Sequence, residues 1–416
     1  MNDSNSTDLD VEELLRTNQF LVIGLYVPVF VTALLANVLV IWVVIKDQYM
    51  RRLRQRSLSD AMFVQMQGKN HLRLSRNLRR RVVTNYFLVN LSAADLLVTL
   101  VCMPNAAYRA YTSIYSLGEY TCKISAYFQG VSVASSIFTI TAMALDRYLA
   151  ITRPFGFIYR CFNRRTTIMV ILVLWLLSFL LFLPILMVVV TWKVPDIPFQ
   201  NRTLYVDLYF CGENWNIYFG DVANEMRLAF GITWFIFMFV VPGLIMLFAY
   251  SMMSRTLCSG VPPFDSNDGL ASVQQRNRLI RSRRRVACIL LLLAFVFAGC
   301  WLPYHIISLV DDINGASTDE SLKTKLLLLG HANSALNPII YCALSRRFRN
   351  SIRDLICVEI HFTRRRQNMQ WADSSGSGTQ LHYLHRIKSV PTVHNQLHFT
   401  VSRLQSSQKT TKTCAV

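Results

Sequence analysis

Charge is what this chain has least of for its size: only 16% of its 416 residues are Asp, Glu, Lys or Arg, whereas 53% are hydrophobic. That balance is too apolar for a chain of this length unless much of the apolar surface faces lipid. Other signatures are missing as well. There is no internal repeat and no Walker or dinucleotide glycine pattern, and the apolar runs hold neither a nucleophile with its base nor a metal set such as His-Glu-x-x-His, so nothing points to an enzyme. The apolar runs offer no second acidic cluster opposite Asp95 and no pair of broken helices in related halves, which argues against a transporter. The first 19 residues are polar and acidic, without a basic n-region or an apolar h-region. No cleavable signal peptide is therefore expected, and the first apolar run is expected to act as its own signal anchor.

Long apolar runs are abundant. A membrane helix needs about 20 mostly apolar residues, and seven runs qualify: Phe20 to Ile45, Val83 to Ala107, Cys122 to Ile151, Thr167 to Val190, Met226 to Met253, Val286 to Val310 and Leu322 to Leu344. The predicted fold is an all-α membrane protein, a seven-transmembrane helix bundle spanning 20–344. An odd number of crossings puts the termini on opposite sides. The net charge of +19 would suggest nucleic acid in a soluble protein, but it follows the connections between runs. Arg51, Arg52, Arg54, Arg56, Lys69, Arg73, Arg76 and Arg79 to Arg81 lie in a basic insertion at 46–82, and Arg281 and Arg283 to Arg285 precede the sixth run. Both segments fall on one side, whereas the N-terminus carries Asp3, Asp8, Asp10, Glu12 and Glu13. The positive-inside rule then places the N-terminus outside and the C-terminus in the cytoplasm, at the plasma membrane, with no nucleic-acid partner. Glycosylation sequons at Asn2, Asn5 and Asn201 all fall outside in this topology; one at Asn90 lies within the second run and should stay unmodified.

The flanking segments read differently. Residues 1–19 form an extracellular, glycosylated N-terminus. The insertion is either a tolerated basic segment lying against anionic lipid or an amphipathic partner-binding segment. Residues 345–357 carry Phe348, Ile352, Leu355 and Ile356 at helical spacing with arginines opposite, predicting a short amphipathic eighth helix on the membrane surface. Cys357 at its end is a candidate lipidation site. The Ser/Thr-rich segment 358–416 is expected to be a disordered cytoplasmic tail.

Polar groups inside apolar runs cost about 2.5 to 3.5 kcal/mol when charged and merit a hypothesis each. Asp95 in the second run can meet Asn37, Ser136, Asn333, Ser334 and Asn337 from other runs. That set reads either as structural polar glue or as a hard-cation site. Asp146-Arg147-Tyr148 closes the third run, where Asp146 can hold the Arg147 cation until something releases it. Pro303 and Pro338 bend their runs, as hinges or as static kinks, and Trp301 beside Pro303 could report ligand occupancy to a hinge. Pro28 and Pro184 are read as static kinks.

Together these residues resemble the rhodopsin-like G-protein-coupled receptor family: Asn37, Leu91-x-x-x-Asp95, Cys122, Asp146-Arg147-Tyr148, Trp175, Pro242 with Tyr250, Cys300-Trp-Leu-Pro303 and Asn337-Pro338-x-x-Tyr341, one motif per run in order. The resemblance covers nearly all of 20–357. It implies a Cys122–Cys211 disulfide, a G-protein switch built on Arg147, Tyr250 and Tyr341, and an allosteric sodium ion at Asp95, Ser136, Asn333, Ser334 and Asn337, with no cofactor required. It further implies a heterotrimeric G protein, arrestin and receptor kinases as partners, beside membrane lipid. The long insertion after the first run departs from the family pattern.

Amine receptors of this family place an Asp where this chain has Gln129, and opsins a Schiff-base Lys where it has His331. The run Tyr127 to Val133, the run Asn85 to Ser92 and the Cys211-x-Glu213-x-Trp215 pattern are instead similar to the orexin, allatotropin and neuropeptide FF receptor group. That similarity implies an extracellular neuropeptide carrying Arg and an uncharged, amidated end. Glu213, Asp311 and Asp312 would stand at the mouth, with Trp215 as an aromatic anchor, although Glu213 can equally be a solvated loop charge. Deeper in, Gln129, Trp301, Tyr304, His305 and Leu327 would meet the peptide's end, with His305 either a ligand group or a hydrogen-bonded core histidine. Tyr115 stands where peptide receptors usually carry Trp and can fill the same aromatic role.

Overall fold

The computed structural model describes residues 20–48, 70–112, 115–152, 163–193, 197–199, 202–204, 209–258, 270–315, 318–345 and 348–353. The expectations for Asn2, Asn5, Asn201, Cys357, the N-terminal segment, the bulk of the 46–82 insertion and the C-terminal tail lie outside the described residues.

Seven helices are long and apolar enough to cross a membrane: α1 Phe20–Gln48, α2 Val83–Thr112, α3 Glu119–Thr152, α4 Arg164–Val188, α5 Asn216–Thr256, α6 Arg284–Asn314 and α7 Glu320–Leu344. At about 1.5 Å rise per residue even the shortest spans a hydrocarbon layer of about 30 Å. The helical backbone of α2 starts ahead of its span, at Asn70, and that of α6 at Leu270. The central helix is α3: 67% of its membrane window is buried, against 17% for α4. Accordingly α4 turns Met169, Leu172, Val173, Leu176, Leu177 and Leu180 outward, a face suited to acyl chains rather than water.

Two helices carry a widened turn that the apolar runs did not predict. The π-helical stretches Val98–Cys102 and Ile236–Val240 close with wide bonds from the Met103 N–H to the Val98 carbonyl and from the Val241 N–H to the Ile236 carbonyl. Each ends two residues before a proline, Pro104 or Pro242. A proline has no N–H to donate and crowds the preceding turn, so the ladder relaxes by one residue instead of breaking. Pro184, Pro303 and Pro338 lie inside α4, α6 and α7.

Helix ends are set by local chemistry. The Asn163 side chain caps α4 by accepting from the Arg165 and Thr166 N–H groups at 2.8 and 3.1 Å, and Asp319 caps α7 by accepting from Ser321; such caps contribute about 1 kcal/mol each. The predicted fourth run reaches Val190, but α4 stops at Val188. There the chain becomes extended, because the β-branched, aromatic sequence Val-Val-Thr-Trp-Lys pairs as β1 (Val189–Lys193) with β4 (Tyr209–Glu213), antiparallel, with Thr191 opposite Cys211. A smaller hairpin, β2 (Ile197–Phe199) with β3 (Arg202–Leu204), lies between them in sequence. The Cys122–Cys211 disulfide, with Cα atoms 5.9 Å apart, ties β4 to the start of α3. Tyr115 helps: it is buried, its N–H donates to the Tyr209 carbonyl, and its hydroxyl donates to Asn105 on α2.

At the other end α7 breaks at Ser345, and the chain is helical again over 348–353, where Phe348 is buried. This is the start of the predicted eighth helix. Arg349 covers the last α7 carbonyls by donating to Cys342 and Ala343.

Candidate functional site at the mouth and along the bundle axis

The mouth of the bundle, at the end that carries β1 and β4, is an electrostatic cluster. On α6, Asp312 pairs with Arg227 of α5 at 2.6 Å, and Asp311 pairs with Lys323 of α7 at 2.6 Å while also accepting from Thr318. Three carboxylates thus face two cations, and Glu213 on β4 is the one without an ion-pair partner among these residues. Its carboxylate accepts from the Trp215 indole N–H at 2.9 Å. The Glu213 side chain is reached by water yet ringed by protein. That enclosure pushes its carboxyl above the ordinary carboxylate range, opposed by the Trp215 hydrogen bond, with the Asp312 charge adding to the rise and Arg227 and Lys323 resisting it. A small polar pocket here is lined by Trp192, Glu213, Asn214, Trp215, Asn224 and Arg227 among others.

Two expectations for the mouth change. Asp311 and Asp312 are where they were expected but are already neutralised by the chain's own cations. Trp215 is not an exposed anchor: it is 5% exposed and packs on Phe219 and Phe230, because the apolar ring is worth more buried under the loop than left in water. Its polar edge orients Glu213.

Below the mouth lies an aromatic cage. The His305 ring meets Trp234 edge-on at 4.0 Å, Tyr304 at 5.1 Å and Phe239 at 5.5 Å, and stacks on Trp301 at 5.7 Å. His305 is buried, and neither ring nitrogen has a hydrogen-bond partner among the described residues. A buried imidazole left bare costs about 1 to 3 kcal/mol, so the ring holds hydrogen-bonding capacity that a ligand group could use. Gln129 of α3 and Tyr304 of α6 are half-buried, and Leu327 of α7 packs on the cluster of α1, α2 and α7 side chains around Val98 and Met103. Beneath them Trp301, 2% exposed, is held edge-to-face against His331 at 5.9 Å. The Tyr26 hydroxyl of α1 lies 3.3 Å from His331 Nδ1.

At mid-bundle Asp95 is fully buried, and its carboxylate accepts from the Asn337 amide at 3.0 Å and from Ser334. Asn37 links α1 to this point by donating to the Ser334 carbonyl at 2.9 Å. Ser136 and Asn333 are buried on α3 and α7, and the amide oxygens of Asn333 and Asn337 lack partners. At the end of the bundle opposite the mouth Arg147 is held by Asp146 at 2.6 Å and also donates to Thr84 of α2. Tyr148 packs on Phe248 of α5 at 5.6 Å, while the hydroxyls of Tyr250 and Tyr341 have no partner among the described residues.

The sequence profile of the seven-transmembrane receptor (rhodopsin family) matches residues 72–341. The chain belongs to this family. Among its relatives are a QRFP-like peptide receptor of Branchiostoma floridae, 27% identical over 335 residues that cover 80% of this chain and 76% of the relative, and neuropeptide FF receptor 1 of Rattus norvegicus, 28% identical over 341 residues covering 80% and 69%. A RYamide receptor of Tribolium castaneum is 26% identical over 276 residues covering 65% and 70%. Membership makes the chain a multi-pass, non-enzymatic signalling receptor.

For a rhodopsin-family receptor, the structure adds residues that reading motifs one at a time overlooked. Asn90 joins three helices: its amide donates to Thr139 of α3 at 2.7 Å and its carbonyl oxygen accepts from the Trp175 indole of α4 at 2.8 Å. Its sequon is therefore buried in a hydrogen-bond junction. Gly330 is the second. A Cβ there would lie 2.7 Å from the Trp301 ring, so only glycine lets α7 approach the indole this closely. An isolated glycine in an apolar helix was the available signal; the partner was not readable. Gly130, where a Cβ would meet the Phe182 ring, plays the same part between α3 and α4.

Proposed function

We propose that this receptor sits in the plasma membrane with its N-terminus outside and is switched by an extracellular peptide carrying a cationic residue and an uncharged, amidated C-terminus. The supporting observation is the vertical order of chemistry: an unpaired Glu213 and the acidic α6 tip at the mouth, then a neutral polar cage in which Gln129 and His305 have hydrogen-bonding capacity to offer. A guanidinium suits the first layer and a carboxamide the second. A peptide's free carboxylate would find no cation among the cage side chains Gln129, Trp301, Tyr304, His305 and Leu327. The relatives named as receptors for QRFP-like peptides, neuropeptide FF and RYamide favour the same ligand class.

The switch runs down the bundle. A ligand that binds one arrangement of the cage better than the other shifts the population between them. Pressure on Trp301 bends α6 about Pro303 and α7 about Pro338. Arg147 then leaves Asp146 and Thr84 to meet a heterotrimeric G protein, with Tyr148, Tyr250, Asn337 and Tyr341 rearranging around it. Asp95, Ser136, Asn333, Ser334 and Asn337 suit a sodium ion: one carboxylate and hard neutral oxygens, two of them unpartnered and buried, with no soft ligand. Bound there, sodium would supply a positive charge that favours the resting packing. Glycans at Asn2, Asn5 and Asn201, an acyl chain on Cys357, contact with membrane lipid, and tail phosphorylation by receptor kinases for arrestin complete the proposal.

The test is a panel of amidated neuropeptides applied to cells expressing the receptor, with calcium and cyclic-nucleotide readouts. Signalling by a peptide with Arg near an amidated end, lost when the amide is replaced by a free acid, is expected. Signalling by a lipid or an amine with no response to any peptide overturns the ligand assignment.

A further inference from the structure

We propose that Arg227 competes with cationic ligands for Asp312 as an internal counter-ion, which an arriving guanidinium must displace. The proposal rests on the reading that the mouth carboxylates bind a cationic peptide residue. Three observations carry it.

First, Asp312 is the inner partner and Arg227 the outer one. The side chains are 15% and 40% exposed, respectively. The carboxylate is fixed in depth by Gly231, one turn beyond Arg227 on α5. A Cβ at Gly231 would lie 2.7 Å from Asp312 Oδ2, so α5 carries a notch into which that oxygen fits. Arg227 has the long stem, the open side and a contact through Nε to Oδ1. One partner is seated and the other can leave.

Second, the leaving cation has somewhere to go. Arg227 lines the small polar pocket with Glu213, Asn214 and Asn224. The amide oxygens of those asparagines and the Glu213 carboxylate can accept its donors without returning it to bulk water. Exchange therefore trades one charge-assisted pair for another, and its free-energy difference is small compared with leaving Asp312 bare.

Third, the neighbouring acid is built differently. Asp311 is held by Lys323 and also accepts from the Thr318 N–H and hydroxyl. Its side chain is only 4% exposed. Adjacent acids on α6 thus serve different ends. Asp311 is committed to α7, whereas Asp312 carries a single displaceable partner.

The consequence is competition. A ligand that lacks a cation has nothing to replace Arg227 with on Asp312 and leaves the pair intact, so only a cationic ligand both gains the carboxylate and bears the cost of displacing Arg227. A guanidinium replaces like with like. Removing Arg227 should strengthen binding of a cationic ligand, which is the opposite of what a merely structural ion pair predicts.

The experiment uses the full-length receptor in membranes and two synthetic probes, a peptide ending in Arg-Tyr-amide and its citrulline-Tyr-amide counterpart, with surface expression measured on the same cells. In Arg227→Gln and Arg227→Ala the potency of the Arg peptide should rise by about three- to tenfold, and that of the citrulline peptide should not. Asp312→Asn should weaken the Arg peptide and erase the gain when combined with Arg227→Gln. Weaker binding of the Arg peptide in both Arg227 variants, with Asp312→Asn still selective against Arg, overturns the displacement and leaves the cationic-ligand reading standing. No difference between the two peptides in Asp312→Asn and wild type alike, or no binding of the Arg peptide, overturns both.

Discussion

Replacing Gly330 by alanine tests whether Trp301 couples the cage to the helix switch. The added Cβ would lie 2.7 Å from Cε3 and Cζ3 of Trp301 and 3.0 Å from Cδ2. Ordinary carbon contacts begin near 3.5 Å, so the indole or the α7 backbone must yield by roughly 1 Å. Neither has room in the present packing: Trp301 is 2% exposed and is confined by His305 on one face and His331 at its edge. Overpacking of this kind costs about 1 to 3 kcal/mol. The arrangement it penalises is the one in which Arg147 is held by Asp146 and Thr84, which is the resting arrangement in the proposed mechanism. If the strain is relieved when Trp301 moves, the two-state equilibrium shifts towards the signalling state by about 5- to 150-fold. The assay is ligand-free nucleotide exchange on a heterotrimeric G protein in receptor membranes, paired with thermal unfolding of purified receptor. Basal exchange should rise and the melting temperature fall. Basal exchange at or below the wild-type level, in a receptor that melts normally, would refute the coupling of Gly330 and Trp301 to the switch.

Two further outcomes follow from the buried and enclosed carboxylates. In Asp95→Asn, agonist affinity should become insensitive to replacing sodium chloride by choline chloride at constant ionic strength, whereas wild type should lose roughly three- to tenfold affinity in sodium; a sodium effect that survives in the variant rules out Asp95 as the ion's carboxylate. The raised Glu213 carboxyl gives a sign for pH: a bound cation favours its charged form, so affinity for the Arg peptide is full above the shifted value and declines as pH falls through it, by at most about tenfold per pH unit. Radioligand binding between about pH 7.5 and 5 should therefore be flatter in Glu213→Gln than in wild type, and parallel profiles would assign the titration to another group.

The parts of this receptor that were legible in the sequence are those where one residue's chemistry leaves few options. A carboxylate at Asp95 inside an apolar run needs polar partners, and of the amides and hydroxyls that other runs offer, the structure brings Asn337 and Ser334 to it. Asp146 beside Arg147 can pair without help from the rest of the fold. The Cys122–Cys211 link followed from the family resemblance, and β1–β4 pairing now gives it a rigid platform. The helix ends were less legible, because hydropathy reports where lipid is and not where hydrogen bonding stops: α5 begins ten residues before its predicted run, and α4 gives way to strand at Val189.

What the sequence could not disclose is pairing between helices when either partner would be content in water. Arg227 reads as an ordinary charge near a membrane boundary, and Asp312 as one more acid at the mouth. Their ion pair spans 85 positions and has no periodic or motif signature. It depends on Gly231 placing α5 and α6 close enough, just as the Trp301 position depends on Gly330. In both cases a glycine inside an apolar helix marked a close approach without naming what approached. The mouth therefore changes character between sequence and structure: two of its three acids are spoken for by Arg227 and Lys323. Recognition of a cationic ligand in such a site is an exchange of partners, and its affinity is set as much by the cost of displacing Arg227 as by the carboxylate gained.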